Sequence, residues 1–281
     1  MKNKIKSYTK HPGSFLLLLL VLVAAVLTVG VLVFLVGYIL IRGIPYLKPS
    51  LFAWTYNSDN VSMLPAMINT LFMTVLALLL SVPFGVGAAI YLVEYAKKGN
   101  KLVGIIRVTA ETLSGIPSII YGLFGMLFFV TALKWGYSMI AGAATLAIMV
   151  LPVIMRTTEE ALLCVPDSFR EGSFGLGAGK LRTIFKIVLP SAIPGILSGI
   201  ILAIGRIVGE TAALIYTSGT VANLAGFFDS GRTLAIHMYS LSREGMHTNE
   251  AYATAVVLLI VVLIINGVSS LIAKKFEAPK Q

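Results

Sequence analysis

Charge is scarce in this sequence of 281 residues. Asp, Glu, Lys and Arg together make up only 12% of it, about half of what a soluble globular domain carries. Cysteine is nearly absent. Cys164 stands alone, so no internal disulfide can form, and a lone buried thiol is the expectation. Acidic residues are the rarer sign, 12 against 22 basic ones, for a net charge of +10. In a soluble protein that excess would suggest nucleic acid. Here the basic residues cluster between apolar runs, where they act as topological signals instead. Catalytic chemistry is missing too. No nucleophile–base pair, metal cluster or cofactor loop emerges, so neither catalytic residues nor a bound cofactor is expected. His237 and His247 lie ten apart without cysteine partners, which is poor metal evidence. The stretch GLGAGK (175–180) only imitates a phosphate-binding loop. Phe174 holds the position of the first glycine, and Leu181 follows Lys180 where Ser or Thr is needed. If ATP drives this protein, another chain hydrolyses it.

What the sequence has in abundance is hydrocarbon: 57% of its residues are hydrophobic. Six runs are long enough to cross about 30 Å of lipid as helices. They cover approximately 14–41, 64–92, 112–133, 138–155, 190–216 and 251–273. The first follows Lys2, Lys4, Lys6 and Lys10. It is too long for a signal peptide core and lacks a small-x-small cleavage site, so it reads as an uncleaved anchor. With the N-terminus inside, 16 of the basic residues fall on the cytoplasmic side and five outside, with Arg206 left in the membrane. Both termini are therefore expected to be cytoplasmic. The expected class is an all-α polytopic membrane protein with six spans. Residues 1–63 would form the anchor and an outer loop, and 64–281 the core domain.

Two spans are interrupted. Pro83 lies in the second, and SGIPSIIYGLFG (114–125) brings Pro117 and several glycines into the third. Proline removes a donor and kinks a helix, and in lipid the freed carbonyls must be satisfied from within the protein. Either tight helix packing or a lined cavity would account for the glycines. Ser114 and Ser118 read as caps for the freed carbonyls, Glu111 as an interfacial acid near Arg107, and Glu94 as part of a solvated loop.

The one sizeable cytoplasmic loop, 156–189, is organised. Ser168 and Glu171 fit a capping box. Gly175, Gly177 and Gly179 can end a helix in a left-handed turn. KLRTIFKIVLP (180–190) then carries Leu181, Ile184, Phe185 and Val188 at helical spacing, with Lys180, Arg182 and Lys186 opposite. The loop reads as a helical knob suited to docking a partner.

This loop resembles the signature of ABC-importer permeases, E-A-A-x-x-x-G followed nine residues later by I-x-L-P. The chain supplies Glu171, Gly177, Ile187, Leu189 and Pro190, with Gly172 and Ser173 in place of the alanines. RIVGETAALIYTSG (206–219), SGIPSIIYGLFG and RTLAIHMYSLSREG (232–245) are further similar to the A-type permease subunits of phosphate-specific importers, over about residues 62–273. The resemblance implies a MetI-like type I importer permease in the cell membrane of a prokaryote. Its implied partners are a C-type sister permease, a cytoplasmic ATPase homodimer that binds ATP-Mg, and an extracytoplasmic phosphate-binding protein, all in contact with membrane lipid and none a nucleic acid. Arg170, Glu171 and Gly177 are the expected coupling residues. Permeation of sulfate or phosphonate, an ion-gradient-driven transporter, and a purely structural membrane subunit are the rival readings.

Arg206 and Glu210 sit one turn apart in the fifth span. Read on their own, they form a salt bridge that fixes packing, because a lone charge in lipid costs at least about 2.5–3.5 kcal/mol. With the resemblance, Arg206 becomes a transient stepping site for phosphate. A guanidinium presents a planar fork of donors that matches two anion oxygens. Glu210 would compete for the arginine when no anion is present, and Thr211 would add a hydroxyl.

Overall fold

The computed structural model describes residues 12–97 and 99–276. The cytoplasmic lysines expected at 2, 4, 6, 10, 98 and 280 lie outside them. All regular elements among the described residues are helical. Helix α1 (Pro12–Gly43) is followed by α2 (Leu64–Ile90), which runs on as a π-helical stretch, Tyr91–Tyr95. Helix α3 (Lys101–Ser114) and α4 (Ser118–Gly125, continued as Met126–Ala132) come next. Then follow α5 (Met139–Leu163), α6 (Asp167–Gly175), α7 (Lys180–Val208), α8 (Ala212–Ile215), α9 (Leu234–Glu244) and α10 (Thr248–Phe276).

Five helices are long and apolar enough to span a membrane, and the bent pair α3–α4 makes a sixth candidate. The bend corrects the reading of the third span as one kinked helix over 112–133. The chain turns by 100° at Gly115–Pro117, so α3 belongs to no straight span. Pro117 cannot donate a backbone hydrogen bond, and its extended backbone starts α4 afresh. The Tyr121 hydroxyl then reaches back across the elbow and donates to the Leu113 carbonyl at 2.6 Å. Ser114 Oγ donates to the Glu111 carbonyl at 2.8 Å, the capping role expected of it.

The core lies between α2, α5 and α7. Met73, Ala77, Leu146, Met149, Ile154, Ala203 and Ile207 are buried there. In lipid, where the solvent is itself apolar, close van der Waals fit has to hold helices together. The sequence meets this with a small-residue stripe on α7. A Cβ on Gly195 would come within 2.5 Å of the Ala161 Cβ on α5, and one on Gly199 would collide with Thr157. Helix α1 is the opposite case. Nearly all of it is exposed, and among the described residues it touches the rest of the chain chiefly through α10, where Gly43 meets the Tyr252 backbone.

The connection 219–233 folds back over the start of α5. Met139 and Ile140 donate their backbone N–H groups to the Asp229 and Phe227 carbonyls at 3.0 Å each, which satisfies orphan donors of the helix start. Asn69 on α2 donates to the Asn223 carbonyl at 2.9 Å and accepts from the Ala225 N–H at 3.1 Å. Most of RTLAIHMYSL (232–241) falls in α9. It is buried rather than laid on a surface: Leu234, Ile236, His237 and Leu241 are all enclosed.

At the opposite end, α5 continues to Leu163 and α7 starts at Lys180, so KLRTIFKIVLP is the first part of a spanning helix. The capping box does not form. Helix α6 starts at Asp167 behind Pro166, with no side-chain cap, because the proline already fixes the entry geometry. Gly177 does take up the expected left-handed conformation, with φ of +80°, and the Ala178 N–H returns to the Ser173 carbonyl at 3.1 Å. Cys164, expected to be buried, is exposed.

Candidate functional site

Helix α7 ends at Val208, two residues after Arg206. Gly209 closes it, its N–H donating to the Gly205 carbonyl at 3.3 Å. Two residues later the chain restarts as α8. The break decides what Glu210 does. Its Oε1 accepts from the backbone N–H of Ala213 at 3.0 Å and so satisfies an orphan donor of the new helix. The expected Arg206–Glu210 salt bridge is therefore not made. The spacing of four residues assumed one continuous helix, and Gly209 interrupts it. Among the described residues Arg206 makes no ion pair. It is half-buried in the last turn of α7, where the negative end of the helix dipole favours a cation.

The restart is held tightly. A Cβ on Gly122 of α4 would fall within 2.7 Å of the Ala213 Cα, so α4 and α8 touch through their backbones. Gly125 is similarly pressed on Thr145 and Thr217. These two glycines of SGIPSIIYGLFG thus serve packing. Arg206 lies within electrostatic reach of Tyr121 on the same α4.

Thr211 faces elsewhere. It lines a cavity of about 640 Å³ between α1, α4, α8, α9 and α10, together with Tyr216, Tyr239, Ser242, Arg243 and Tyr252. Arg206 and Glu210 are not part of its wall. The structure thus gathers Glu210 with α8, sets Thr211 on a cavity, and leaves the guanidinium of Arg206 apart from both.

The α6 end holds the second group. Glu171 is exposed and Gly177 ends the helix, but Arg170 is turned inward, with only 15% of its side chain exposed. It donates to Glu94 Oε1 from Nε at 3.1 Å and from Nη2 at 2.8 Å. Glu94 is therefore a buried ion-pair partner rather than part of a solvated loop. On the outer face of the knob, Phe169, Phe174 and Leu176 are exposed, Leu176 to 91%.

Sequence reasoning also missed the ion pairs between α3 and α5. Arg107 Nε donates to Glu159 Oε1 at 2.6 Å. Arg156 lies 3.5 Å from Glu111 and 3.4 Å from Glu160. Glu111 is thus paired with Arg156 and not with the nearby Arg107. The pairs Glu94–Arg170 and Arg107–Glu159 lie 76 and 52 residues apart in sequence, so no local spacing could announce them.

Comparison with known proteins gives a consistent result. Residues 81–278 match the family model described as binding-protein-dependent transport system inner membrane component. A probable ABC transporter permease protein of Bacillus subtilis, YqgI, is 35% identical over 90% of this chain and 94% of its own. The phosphate transport system permease protein PstA 1 of Mycobacterium tuberculosis is 37% identical over 74% of this chain and 69% of its own. PstA of Yersinia pestis is 37% identical, with 71% and 68% covered. Among solved structures, a chain of a bacterial alginate ABC transporter superposes with a TM-score of 0.70 at 15% identity, over 95% of this chain and 97% of that one. A chain of the MetNI methionine ABC transporter gives 0.60 at 20% identity, over 76% and 94%. At those identities the structures speak for the fold alone.

Proposed function

Because the chain belongs to the family of inner membrane components of binding-protein-dependent transport systems, and is therefore a multi-pass permease subunit, we propose that it forms half of the translocation pathway of an ATP-driven phosphate importer. The phosphate transport names of several relatives, each about 37% identical, support this substrate. In this reading the α6 end faces the cytoplasm and both termini lie there, as the distribution of basic residues favours. The sister subunit is a C-type permease. A pair of ATPase subunits sits beneath, and a phosphate-binding protein docks above.

The observation that carries the reading is the state of Arg206. It is a guanidinium on a spanning helix, released from its neighbouring acid by the break at Gly209 and balanced by a helix end rather than by a carboxylate. A phosphate ion passing the restart would meet a planar fork of N–H donors that need not first leave a salt bridge. The balance by a dipole alone keeps the site weak, and a pathway site has to release its ion. Glu210 acts by capping α8, which holds the restart in place. Thr211 serves the adjoining cavity.

At the cytoplasmic end, Glu171 and the exposed apolar residues Phe174 and Leu176 present the surface on which the ATPase docks. The test is ATP-dependent uptake of labelled phosphate into vesicles holding the whole assembly, with labelled sulfate in parallel. Phosphate uptake that needs this chain and exceeds sulfate uptake supports the assignment. Preference for sulfate, or uptake without the ATPase subunits, overturns it.

A further inference from the structure

Arg170 is one residue before the start of the signature motif, yet its side chain points away from the surface where a partner would sit. We propose that Arg170 and Glu94 form the mechanical link by which movement of α6 is passed to α2 and α5. The inference rests on the permease reading above, since it takes α6 as the element an ATPase would move.

The guanidinium makes five hydrogen bonds to three elements. Two go to Glu94 in the π-helical end of α2. One goes from Nη2 to the Leu162 carbonyl at 3.0 Å, in the last turn of α5, and one from Nη1 to the Val165 carbonyl at 2.8 Å, just beyond that helix. The fifth goes to Asp167 Oδ1 at 3.2 Å, within α6 itself. The Leu162 carbonyl, in the last turn of α5, also accepts from the Val165 N–H at 3.3 Å, so Arg170 adds a second donor at that helix end. One planar group thus ties α6 to the ends of two spanning helices at once, and a planar fork allows little play in that geometry. Burial strengthens the tie: Glu94 is 9% exposed, and a half-broken pair would leave a buried charge uncompensated.

A second tie runs from the same face of α6. Ser173, three residues on, is buried, and its Oγ is 2.8 Å from Thr183 Oγ1 at the start of α7. Helix α6 therefore has an inward face of Arg170 and Ser173, each bonded to a different spanning helix. Its outward face, with Phe169 and Phe174, is free for docking. The π-helical stretch Tyr91–Tyr95 that carries Glu94 is an energetically unfavourable local geometry that tends to mark functional positions.

The link separates docking from transmission. A Glu94→Gln variant keeps the shape but removes the charge. Arg170→Lys keeps the charge but cannot reach all four acceptor atoms. Neither touches the docking face. In vesicles holding the complete assembly, both should retain ATP hydrolysis within about twofold of wild type while phosphate carried per ATP falls at least about tenfold. A second readout does not depend on the substrate. In a Cys164→Ser background, a Leu163→Cys reporter at the exposed end of α5 should change its labelling with a thiol reagent when nucleotide is added, and this change should vanish in Glu94→Gln. The exchange Glu94→Arg with Arg170→Glu should not restore coupling, because a glutamate cannot donate to the Leu162 and Val165 carbonyls. An unchanged phosphate-to-ATP ratio with unchanged reporter labelling overturns the proposal. So does loss of the ATPase subunits from the purified complex, which would make Arg170 an assembly residue. Failure of the wild-type assembly to carry phosphate counts against the substrate reading instead, and the reporter still decides the link.

Discussion

At the scale of single residues, position along the chain was a good guide to which groups matter and a poor guide to what they touch. Arg206 stood out because a charge in a lipid-length run needs a reason. Its pairing with Glu210 was inferred from a spacing of four, which holds only on an unbroken helix, and one glycine undid it. A clear expectation follows. Arg206→Gln should abolish phosphate uptake while leaving the assembled complex intact, and Arg206→Glu combined with Glu210→Arg should not rescue it, since the two side chains do not meet. Restored uptake in the exchanged variant would show the salt bridge to be the working unit. His237 could be picked out by type but not by environment. It is enclosed beneath the outer connection, edge-on to the Tyr56 ring at 6.2 Å. Burial, and then the positive charge of Arg232, hold its pKa down to about 3, with the Val61 backbone working weakly the other way. In the unfolded chain the imidazole takes a proton near pH 6.5, whereas in the folded chain it does not until about 3. Between those values the unfolded state binds more protons, so stability is lost as the pH falls below 6.5. The loss should reach about 2 kcal/mol at pH 5. Thermal unfolding of the purified complex against pH should show this slope, and His237→Gln should flatten it.

At the scale of elements, hydrophobic length located the five helices long and apolar enough to span a membrane, because lipid thickness imposes it directly; the third expected span turned out to be a bent pair. What length could not show was where helices break or run on. The elbow before α4 depends on Pro117, on the Tyr121–Leu113 bond and on the ion pairs of α3 with α5, of which only the proline is visible locally. The capping box at Ser168 had the right letters, but Pro166 had already set the start of α6. The glycines left two readings open, a lined cavity or close packing. For Gly122, Gly125, Gly195 and Gly199 the contacts decide for packing. Gly199→Leu should therefore force α5 and α7 apart and destabilise the bundle by about 1–3 kcal/mol or more. A melting temperature unchanged from wild type would show that the seam has slack. Gly205, on the same helix but with open space beside it, is the control and should tolerate alanine.

At the scale of the whole molecule, the polytopic class followed from the long apolar runs and the importer fold from the resemblance of the motifs, whereas the division of labour between the two ends needed the structure. One end carries a helix tied inward by Arg170 and Ser173, with an apolar outer face. Phe174→Ala together with Leu176→Ala should weaken binding of the ATPase subunits at least about tenfold, read by co-purification, while the membrane part stays folded. Retained binding would place the docking surface elsewhere. The other end keeps an arginine whose charge no carboxylate among the described residues pairs with, and that has a bearing on what the open pathway would refuse. A sodium or potassium ion about 5 Å from the guanidinium would be repelled by about 3 kcal/mol at an effective dielectric constant near 20. On the proposed reading, each turnover could then admit an anion without short-circuiting the membrane voltage.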